Sequence, residues 1–555
     1  MTWSTACPDW AARVKAGQSL VPDLPGLNVS GARAVAIFDR LHLPDVPGTP
    51  AMAEAAGDWQ RDIVRALFGS WDGKERHIRE IFALVPKKNS KTTAGAAIMV
   101  TALLINQRPR AEFLIVAPTQ DVSDLAFRQA VGMIEADPVL AAKFHIRDHL
   151  KTIIFRPTGA FLKVKSFDPK IVTGAKPSGV LLDELHVIAE AKDADRVLGQ
   201  LRGGLISQPE GFLITITTQS ERTPAGVFKA ELAKARAVRD GKAQAALLPV
   251  LYEFPPDVDW RDPANWHMVT PNNGRSITVA RLIPDYEAAQ AAGEGEFRRW
   301  ASQHLNVEIG LALRDDNWAG VEYWEQQAEA GLTLATLLAR SEVCTIGIDG
   351  GGLDDLMGMA VLGRERGTGR WLAWARAWAN PIVLKRRQVI AAQLKDFSAD
   401  GDVRIVERVG QDVEELVSIC REVADAGLLP ARHGIGIDPG NSHAVVDALT
   451  AGGFAADQLA AVSQGWRLGG AIKLTERKLA EGAMVHAGQE VMAWCASNAK
   501  VEPKGNAMLI TKQASGSAKI DPLMALFNAV ELMARAPAAA AASPWDDPHF
   551  SLVSA

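Results

Sequence analysis

The chain has few cysteines and no long apolar run, and each shortage removes a class of protein. Its four cysteines, Cys7, Cys344, Cys420 and Cys495, are scattered and show no metal-ligand spacing. They predict buried thiols in a reducing compartment and argue against a disulfide framework or a cysteine zinc site. No apolar stretch reaches the length that crosses a membrane, and Met1–Leu20 contains charges and a proline. The sequence therefore predicts no membrane partner and no signal peptide.

The chain also lacks a strong excess of charge of either sign. Its 60 basic and 65 acidic side chains give a net charge of −5 over 555 residues. This balance does not indicate a nucleic-acid-binding protein, but it does not exclude one, because a local basic groove matters more than the total. Hydrophobic residues make up 48% of the chain and charged residues 23%. Such fractions are typical of a globular protein, and the length favours two or three domains.

Lys91 and Thr92 lie at the centre of the first motif. The apolar run Ile81–Val85 predicts a buried strand, the residues after Thr92 predict a helix, and the polar turn Pro-Lys-Lys-Asn-Ser lies between them. This is the layout of a phosphate-binding loop, in which N–H groups of the helix N-terminus face the phosphates. Lys91 would then contact the β- and γ-phosphates and Thr92 would hold Mg²⁺. An ordinary helix start is the alternative, because Val85 and Ser90 replace the usual glycines.

Two adjacent carboxylates form the second motif. The apolar run Gly179–Leu182 predicts a strand that delivers Asp183 and Glu184 at its carboxyl end, where ligands of α/β sheets bind. Asp183 is predicted to order Mg²⁺ through water, and Glu184 to polarise the water that attacks the γ-phosphate. An apolar run followed by two acids also arises by chance, but here it follows the phosphate loop and an intervening buried strand. Strands that alternate with helices predict a doubly wound parallel sheet.

A second α/β pattern begins at Val343 and carries three acids at the ends of elements. Asp349 and Asp438 end two apolar strands, and Asp521 begins an amphipathic helix. Hairpin strands followed by a βαβ unit, with acids at these positions, are the order of an RNase H-like nuclease. Three carboxylates around one point can hold two Mg²⁺ or Mn²⁺ ions for phosphodiester cleavage, with Asp355 as a candidate outer ligand. The alternative is that each aspartate is a turn residue or a helix cap.

Both halves resemble one family, the large terminase subunits of tailed bacteriophages and prophages. The loop over 86–92 is similar to the family's Pro-Arg-Lys-Asn-Gly-Lys-Ser, with Lys87 in place of arginine and Ser90 in place of glycine. The run from Ile520 to Ala525 resembles the Ile-Asp-Pro-Leu-x-Ala signature of the terminase nuclease. The resemblance covers residues 55 to 535.

The resemblance implies an α/β fold, in which a P-loop (RecA/ASCE-like) ATPase domain with a lid subdomain is followed by an RNase H-like nuclease domain. The implied divisions are an N-terminal arm over 1–50, the ATPase domain over 51–255, the lid and a linker over 256–340, the nuclease over 341–535, and a low-complexity C-terminal tail over 536–555.

The resemblance also assigns roles to individual residues. Gln60 is expected to contact adenine, with a plain helix start as the alternative, and Arg202 or Arg222 is the candidate arginine finger, with a surface arginine as the alternative for each. The expected ATP-binding residues are Gln60, Lys87, Lys88, Asn89, Ser90, Lys91, Thr92 and Asp183, and the expected coupling residues are Thr217, Thr218 and Gln219. The expected catalytic residues are Glu184, Asp349, Asp438 and Asp521, and the expected metal ligands are Thr92, Asp183, Asp349, Asp355, Asp438 and Asp521.

The implied function is an ATP-driven motor that translocates double-stranded viral DNA into procapsids, joined to a metal-dependent endonuclease that cuts concatemeric DNA. The implied cofactors are ATP with Mg²⁺ in the motor and two Mg²⁺ or Mn²⁺ ions in the nuclease. The implied partners are double-stranded DNA, a small terminase subunit, a portal protein and further copies of the chain in a ring of five. The implied location is the host cytoplasm, transiently at the portal and not in the mature virion.

Two other functions fit parts of the pattern. A helicase-like or restriction-type ATPase-nuclease shares the motor motifs, but the Ile-Asp-Pro-Leu-x-Ala run and the absence of a second RecA-like pattern favour the terminase. A decayed, non-catalytic prophage homologue is the other alternative, and Ser90 is the residue that points to it.

Overall fold

Two units make up the computed structural model, over Met1–Ile309 and Gly310–Ala555. The structure describes residues 3–167, 176–191, 193–309, 318–441, 443–504, 507–511 and 519–539. The predicted C-terminal tail therefore lies outside the described residues from 540 onward. No helix in the described part of the chain combines the length and the apolar character needed to cross a membrane.

An eight-stranded sheet organises the first unit. Its order is β3-β4-β5-β2-β6-β7-β1-β8, and only β4 runs antiparallel to its neighbours, β3 and β5. The strands at its centre are buried on both faces, as expected for a parallel sheet covered by helices. The predicted α/β class is confirmed for this unit. The strands are β1 Glu80–Leu84, β2 Glu112–Ala117, β3 Phe144–Arg147, β4 Thr152–Phe155, β5 Ala160–Ser166, β6 Gly179–Asp183, β7 Phe212–Thr217 and β8 Leu247–Leu251.

Helices cover both faces of this sheet. The helix that follows the phosphate loop is buried along most of its length. The segment predicted as an N-terminal arm also packs onto this unit, since the Thr5 hydroxyl donates to the Leu247 carbonyl at 2.6 Å and Phe38 is fully buried. The helices are α1 Trp10–Lys15, α2 Val29–Phe38, α3 Met52–Ala55, α4 Asp58–Gly69, α5 Lys91–Ile105, α6 Gln120–Glu135, α7 Pro138–Lys143, α8 Leu185–Ile188, α9 Ala194–Ile206, α10 Gly226–Arg239, α11 Val279–Ala291 and α12 Glu294–Leu305.

The second unit is built on a mixed sheet of order β12-β11-β10-β9-β13-β14, with β15 paired to β11. Strands β9, β10 and β11 form an antiparallel meander, and β13 and β14 continue it in parallel. This is the predicted order of hairpin strands followed by βαβ. The strands are β9 Ser341–Gly350, β10 Leu356–Glu365, β11 Trp371–Ala379, β12 Val403–Ile405, β13 Ile435–Ile437, β14 Leu459–Ala461, β15 Met484–His486, β16 Lys500–Lys504 and β17 Ala507–Thr511.

The helices of the second unit include one, α21, that lies directly on the sheet. They are α13 Val321–Trp324, α14 Leu334–Arg340, α15 Pro381–Arg386, α16 Gln388–Ala399, α17 Gln411–Asp425, α18 His443–Ala451, α19 Gly469–Ala480, α20 Glu490–Asn498 and α21 Asp521–Met533.

The second core begins earlier in the chain than the predicted boundary at residue 341. Trp318 and Trp324 are fully buried in it, and the Trp318 N–H donates to the Ala499 carbonyl at 3.2 Å. The segment predicted as a linker up to residue 340 thus belongs to the second unit from Trp318 onward. Short helices built around two tryptophans carry no periodic pattern, so the sequence did not reveal them.

Glycines let α21 approach the sheet at backbone distance. A Cβ added to Gly347 would lie 1.9 Å from the Ala525 carbonyl oxygen, and one added to Gly358 would lie 2.5 Å from the Pro522 nitrogen. Both contacts are with the α21 backbone, which cannot move aside as a flexible side chain would. The helix that carries Asp521 is therefore fixed to β9 and β10 by its main chain.

Gly347→Ala is expected to destabilise the second unit by about 3 kcal/mol, the upper end of the usual cost of overpacking, because the added methyl displaces backbone rather than a rotamer. Urea unfolding followed by tryptophan fluorescence measures the change. Gly470→Ala is the matched control, since a Cβ at that helical position meets nothing within 4 Å. Equal stability of the two variants would contradict the close approach of α21.

Candidate active sites

The phosphate loop occupies the turn between β1 and α5 and has a strained backbone. Lys88 and Ser90 have φ angles of 69° and 57°, in the left-handed region that glycine adopts most easily. The Asn89 side chain holds the turn closed by donating to the carbonyls of Pro86 and Lys87, both at 3.2 Å. The loop therefore has the expected shape even though serine occupies the glycine position.

Ser90→Gly is expected to raise the free energy of unfolding by up to about 1 kcal/mol. Relief of the left-handed strain, about 1–2 kcal/mol, outweighs the entropy that glycine adds to the unfolded chain, about 0.4–1 kcal/mol. Ser207→Gly is the control, because Ser207 has an ordinary φ of −77° and should lose stability. Chemical denaturation of both variants tests this, and a loss of stability in Ser90→Gly would show that the serine is not strained.

The predicted phosphate-binding and hydrolytic residues meet at the carboxyl edge of the first sheet. The Thr92 hydroxyl donates to Asp183 Oδ2 at 2.7 Å. Lys91 Nζ lies 3.3 Å from Glu184 Oε1, and both side chains are largely buried. Strands β1 and β6 are separated only by β7, so the loop after β1 and the acids at the end of β6 face the same space.

Burial and mutual repulsion separate the pKa values of the two acids. Burial, reinforced by the neighbouring Glu184 charge, raises the pKa of Asp183 to about 7. Burial also opposes ionisation of Glu184, but the charges of Lys91 and its other neighbours hold the pKa of that carboxyl below its usual value. Glu184 is thus the ionised carboxylate of the pair. Its backbone has a φ of 55°, a strained conformation of the kind found at functional sites.

The predicted coupling residues lie at the end of β7, between the loop and the acids. Thr217, Thr218 and Gln219 are all fully buried. His186 was not among the predicted site residues, but its Nδ1 lies 3.0 Å from Thr217 Oγ1 and 3.4 Å from Glu184 Oε2. Burial lowers the pKa of His186 to about 4, so the ring is neutral near pH 7. The Asp-Glu-Leu-His run was the only signal that could have identified it.

Lid residues also touch the phosphate loop, and sequence analysis did not name them as site residues. The Asn272 N–H donates to Asn89 Oδ1 at 3.0 Å, and the Ser276 hydroxyl donates to the Lys88 carbonyl at 2.6 Å. The backbone carbonyl of Gln303, on α12, accepts a hydrogen bond of 2.8 Å from the Lys87 N–H. The lid thus holds three successive residues of the loop.

Gln60 lies on α4 and is almost completely buried. Among the described residues, neither atom of its side-chain amide has a hydrogen-bond partner. A buried amide without a partner costs free energy, so this position suits a ligand with hydrogen-bonding edges. Its predicted contact with adenine stays a prediction.

The two candidate arginine fingers lie at opposite edges of the sheet. Arg202 makes four hydrogen bonds of 2.7–3.0 Å to the carboxylates of Glu80 and Glu231. Glu80 begins β1, whereas the phosphate loop follows the end of β1, so Arg202 stabilises the amino edge within its own chain. Arg222 follows the coupling residues at the carboxyl edge and is half exposed, with Glu190 at 3.8 Å. The geometry argues against Arg202 and retains Arg222 as the candidate.

The three predicted nuclease acids converge at one edge of the second sheet. Asp349 is the penultimate residue of β9, and Asp438 directly follows β13, whose Ile437 pairs with Ile348. Asp521, the first residue of α21, is fully buried, and a Cβ added to Gly350 would lie 3.0 Å from its Oδ1. The sequence positions of all three acids therefore place them at one edge of the sheet.

A polar side chain on α21 fixes the strand ends beside these acids. Asn528 Nδ2 donates to the Ile348 carbonyl at 2.9 Å, and Asn528 Oδ1 accepts from Gln464 Nε2 at 3.0 Å. In the described part of the chain, the oxygen atoms of the three carboxylates do not all lie within 4.8 Å of one another, so the acids share a sheet edge without forming a closed metal cluster. Oxygen donors of this kind suit hard divalent cations such as Mg²⁺ or Mn²⁺.

Asp355 has a partner that the sequence analysis did not anticipate. The buried Lys519 Nζ donates to Asp355 Oδ1 at 2.6 Å and to the Asp354 carbonyl at 3.3 Å. Arg387 contacts the Asp354 carboxylate at 3.3 Å. A metal ion would have to compete with Lys519 for Asp355, so the predicted outer-ligand role requires this ion pair to open.

Two family models match the chain along most of its length. The model of the terminase large subunit ATPase domain matches residues 58–233, and that of the terminase large subunit endonuclease domain matches residues 246–536. The chain belongs to the terminase large subunit family. Because both matches are terminase models, the helicase-like and restriction-type alternatives lose their support. This terminase large subunit is an ATPase and an endonuclease.

Individual relatives of this terminase are distant. The terminase large subunits of Lactococcus phages p2 and SK1 are each 22% identical to it over 472 residues, which cover 82% of both chains. The HK97 bacteriophage large terminase is a similar solved structure, 20% identical, with a TM-score of 0.45 over 90% of this chain and 99% of that one.

Proposed function

We propose that Lys91, Thr92, Asp183 and Glu184 form the ATP-hydrolysing centre of this terminase. The hydrogen bond between Thr92 and Asp183 carries the proposal, because it brings together two oxygen donors from separate elements that suit Mg²⁺. Mg²⁺ bound there would neutralise charge on the β- and γ-phosphates. The N-terminus of α5 contributes backbone N–H groups to the same point.

The remaining residues of the first site support this centre. Lys87, Lys88, Asn89 and Ser90 are proposed to cradle the phosphates, and Gln60 to contact adenine. Thr217, Thr218 and Gln219 are proposed to sense the γ-phosphate, and Arg222 to act as the arginine finger. Lys91 contacts Glu184 in the structure. Phosphates would attract Lys91 and release a Glu184 oxygen to orient the attacking water.

Asp349, Asp438 and Asp521 are proposed to hold two Mg²⁺ or Mn²⁺ ions in the nuclease. Their convergence at one sheet edge and the burial of Asp349 and Asp521 support this assignment. Ions bound there would activate water and stabilise the leaving oxygen of the phosphodiester. The carboxylates would hold the ions, and Asn528 fixes the end of the strand that carries Asp349.

At the level of the whole assembly, we propose that this terminase translocates double-stranded DNA into procapsids as a ring of five on the portal protein. A small terminase subunit would select the DNA, and the work would take place in the host cytoplasm. Family membership supports this proposal. Measuring ATP hydrolysis with and without double-stranded DNA tests it, and hydrolysis that DNA leaves unchanged would contradict a DNA-driven motor.

Metal binding tests the nuclease assignment without relying on activity. Calorimetric titration of the full chain with Mn²⁺, without nucleotide, is expected to show binding of two ions. The Asp438→Asn protein is expected not to bind both. Asp447→Asn, an exposed aspartate on α18, is the control that should leave the titration unchanged. Two ions bound with unchanged affinity by the Asp438→Asn protein would overturn the three-carboxylate site.

A further inference from the structure

The carboxylate of Glu184 has two neighbours that differ in what nucleotide binding does to them. Lys91 Nζ lies 3.3 Å from Oε1, and His186 Nδ1 lies 3.4 Å from Oε2. Phosphates compete with Glu184 for the Lys91 ammonium, because both are anionic acceptors. They leave the buried His186 in place. Glu184 Oε2 makes no hydrogen bond within the described part of the chain, so His186 is a polar contact of this oxygen and not a hydrogen-bond donor to it. When ATP is bound, His186 is therefore the polar neighbour that remains beside Glu184.

Hydrogen bonding around Thr217 determines which ring nitrogen of His186 carries the proton. The Thr217 hydroxyl donates its single proton to the Thr218 carbonyl at 2.9 Å. Its oxygen must then accept from the His186 ring at 3.0 Å, as it accepts from the His186 backbone N–H at 3.2 Å. The proton of the neutral ring lies on Nδ1, which faces both Thr217 and Glu184. The His186 ring thus donates to the coupling strand, while the same nitrogen lies 3.4 Å from Glu184 Oε2.

The same network continues into the lid through Gln303. The Thr218 hydroxyl lies 3.3 Å from His186 Nδ1 and donates to Gln303 Oε1 at 3.5 Å. Gln303 Nε2 donates to the Gln219 carbonyl at 2.9 Å, and its backbone carbonyl accepts the Lys87 N–H. Gln303 is 2% exposed. Its buried amide therefore contacts the coupling residues while its main chain contacts the phosphate loop.

From these contacts we infer that His186 is a positioning residue, which holds Glu184 in its hydrolytic orientation and connects it through Thr217 and Thr218 to Gln303 of the lid. Movement of α12 then changes the position of the water-orienting carboxylate, as well as the shape of the phosphate loop. This inference rests on the proposed role of Glu184. It assigns to the lid a direct influence on the hydrolytic step, in addition to any influence on nucleotide affinity.

Substitutions at His186 in the full-length protein test the first link. His186→Phe keeps a ring of similar size against Phe228, whose ring centroid lies 6.4 Å away, but removes Nδ1. We expect kcat for ATP to fall about 10–100-fold, the effect of leaving one buried polar group without its partner, while KM and the Kd of a fluorescent ADP analogue change less than about threefold. His186→Asn should recover most of kcat, because its amide restores an N–H donor. His149→Phe, an exposed histidine of the same unit, is the control.

The link to the lid is tested by Gln303→Met, which keeps the length of the side chain but not its amide. We expect kcat to fall, and the double variant with His186→Phe to be no slower than the slower single variant, since residues of one network are not additive. Fully additive losses would overturn the connection. A kcat of His186→Phe equal to that of the parent, with Glu184→Gln inactive in the same assay, would overturn the inference alone. An active Glu184→Gln protein would instead overturn the proposed role of Glu184.

Discussion

Replacing Glu184 with glutamine is expected to lower ATP hydrolysis by about 10²–10⁴-fold, the range for removing a group that assists proton transfer. The substitution keeps the size of the side chain and removes only the charge. Glu184 is the ionised acid of the pair, so its loss affects the orientation of water more than the binding of Mg²⁺ at Thr92 and Asp183. Nucleotide affinity should change little, because Lys91, freed from its 3.3 Å contact with Glu184, remains available to the phosphates.

A steady-state ATPase assay and titration with a fluorescent nucleotide separate the two effects. Glu135→Gln, at the exposed end of α6, is the matched control and should behave as the parent does. Hydrolysis by Glu184→Gln at the parent rate would remove Glu184 from the mechanism. A loss of nucleotide binding would show instead that the ion pair with Lys91 builds the phosphate site.

Replacing Asp438 with asparagine is expected to reduce DNA cleavage by at least about 10²-fold while ATP hydrolysis persists, since even indirect partners of metal ligands contribute 10–100-fold. Asp438 is the most accessible of the three acids, and its Oδ1 accepts the Gly440 N–H at 3.1 Å, a contact that asparagine can keep. The fold should therefore survive the substitution.

Plasmid nicking in Mn²⁺, with and without EDTA, and ATP turnover on the same preparation measure the two activities. Asp447→Asn, which removes an exposed carboxylate on α18, provides the control. Cleavage at the parent rate by Asp438→Asn would place the nuclease centre elsewhere. Loss of both activities in a folded protein would argue that the two sites do not work independently.

The residues that sequence alone identified share a simple physical property. Lys91 and Thr92 follow the loop after β1, Asp183 ends β6 and Glu184 follows it, and parallel strands place their carboxyl ends at one edge of a sheet. A position beside the carboxyl end of a strand was therefore enough to predict that these residues lie close together in space. The same reasoning applied to Asp349 and Asp438, because β9 and β13 pair in parallel.

Residues that reach a site from a distant part of the chain could not be predicted in this way. Gln303 and Asn272 contact the phosphate loop from the lid, and neither belongs to a strand end or a known spacing. Lys519 was adjacent to the nuclease signature, but its ion pair with Asp355 depends on how α21 sits on the sheet. Arg202 is excluded as the arginine finger by its hydrogen bonds to Glu80 and Glu231, and no local sequence pattern connects those residues to it.

Because α21 packs so closely on β9 and β10, one side of the nuclease centre is more rigid than the other. Asp349 and Asp521 belong to elements whose main chains touch at Gly347 and Gly358, so their spacing can change only if the whole helix shifts. Asp438 follows a strand of three residues and is only partly buried. Any widening or narrowing of the centre as the phosphodiester is cut is therefore expected on the Asp438 side. Compounds designed to block the centre would meet a constant shape only along α21.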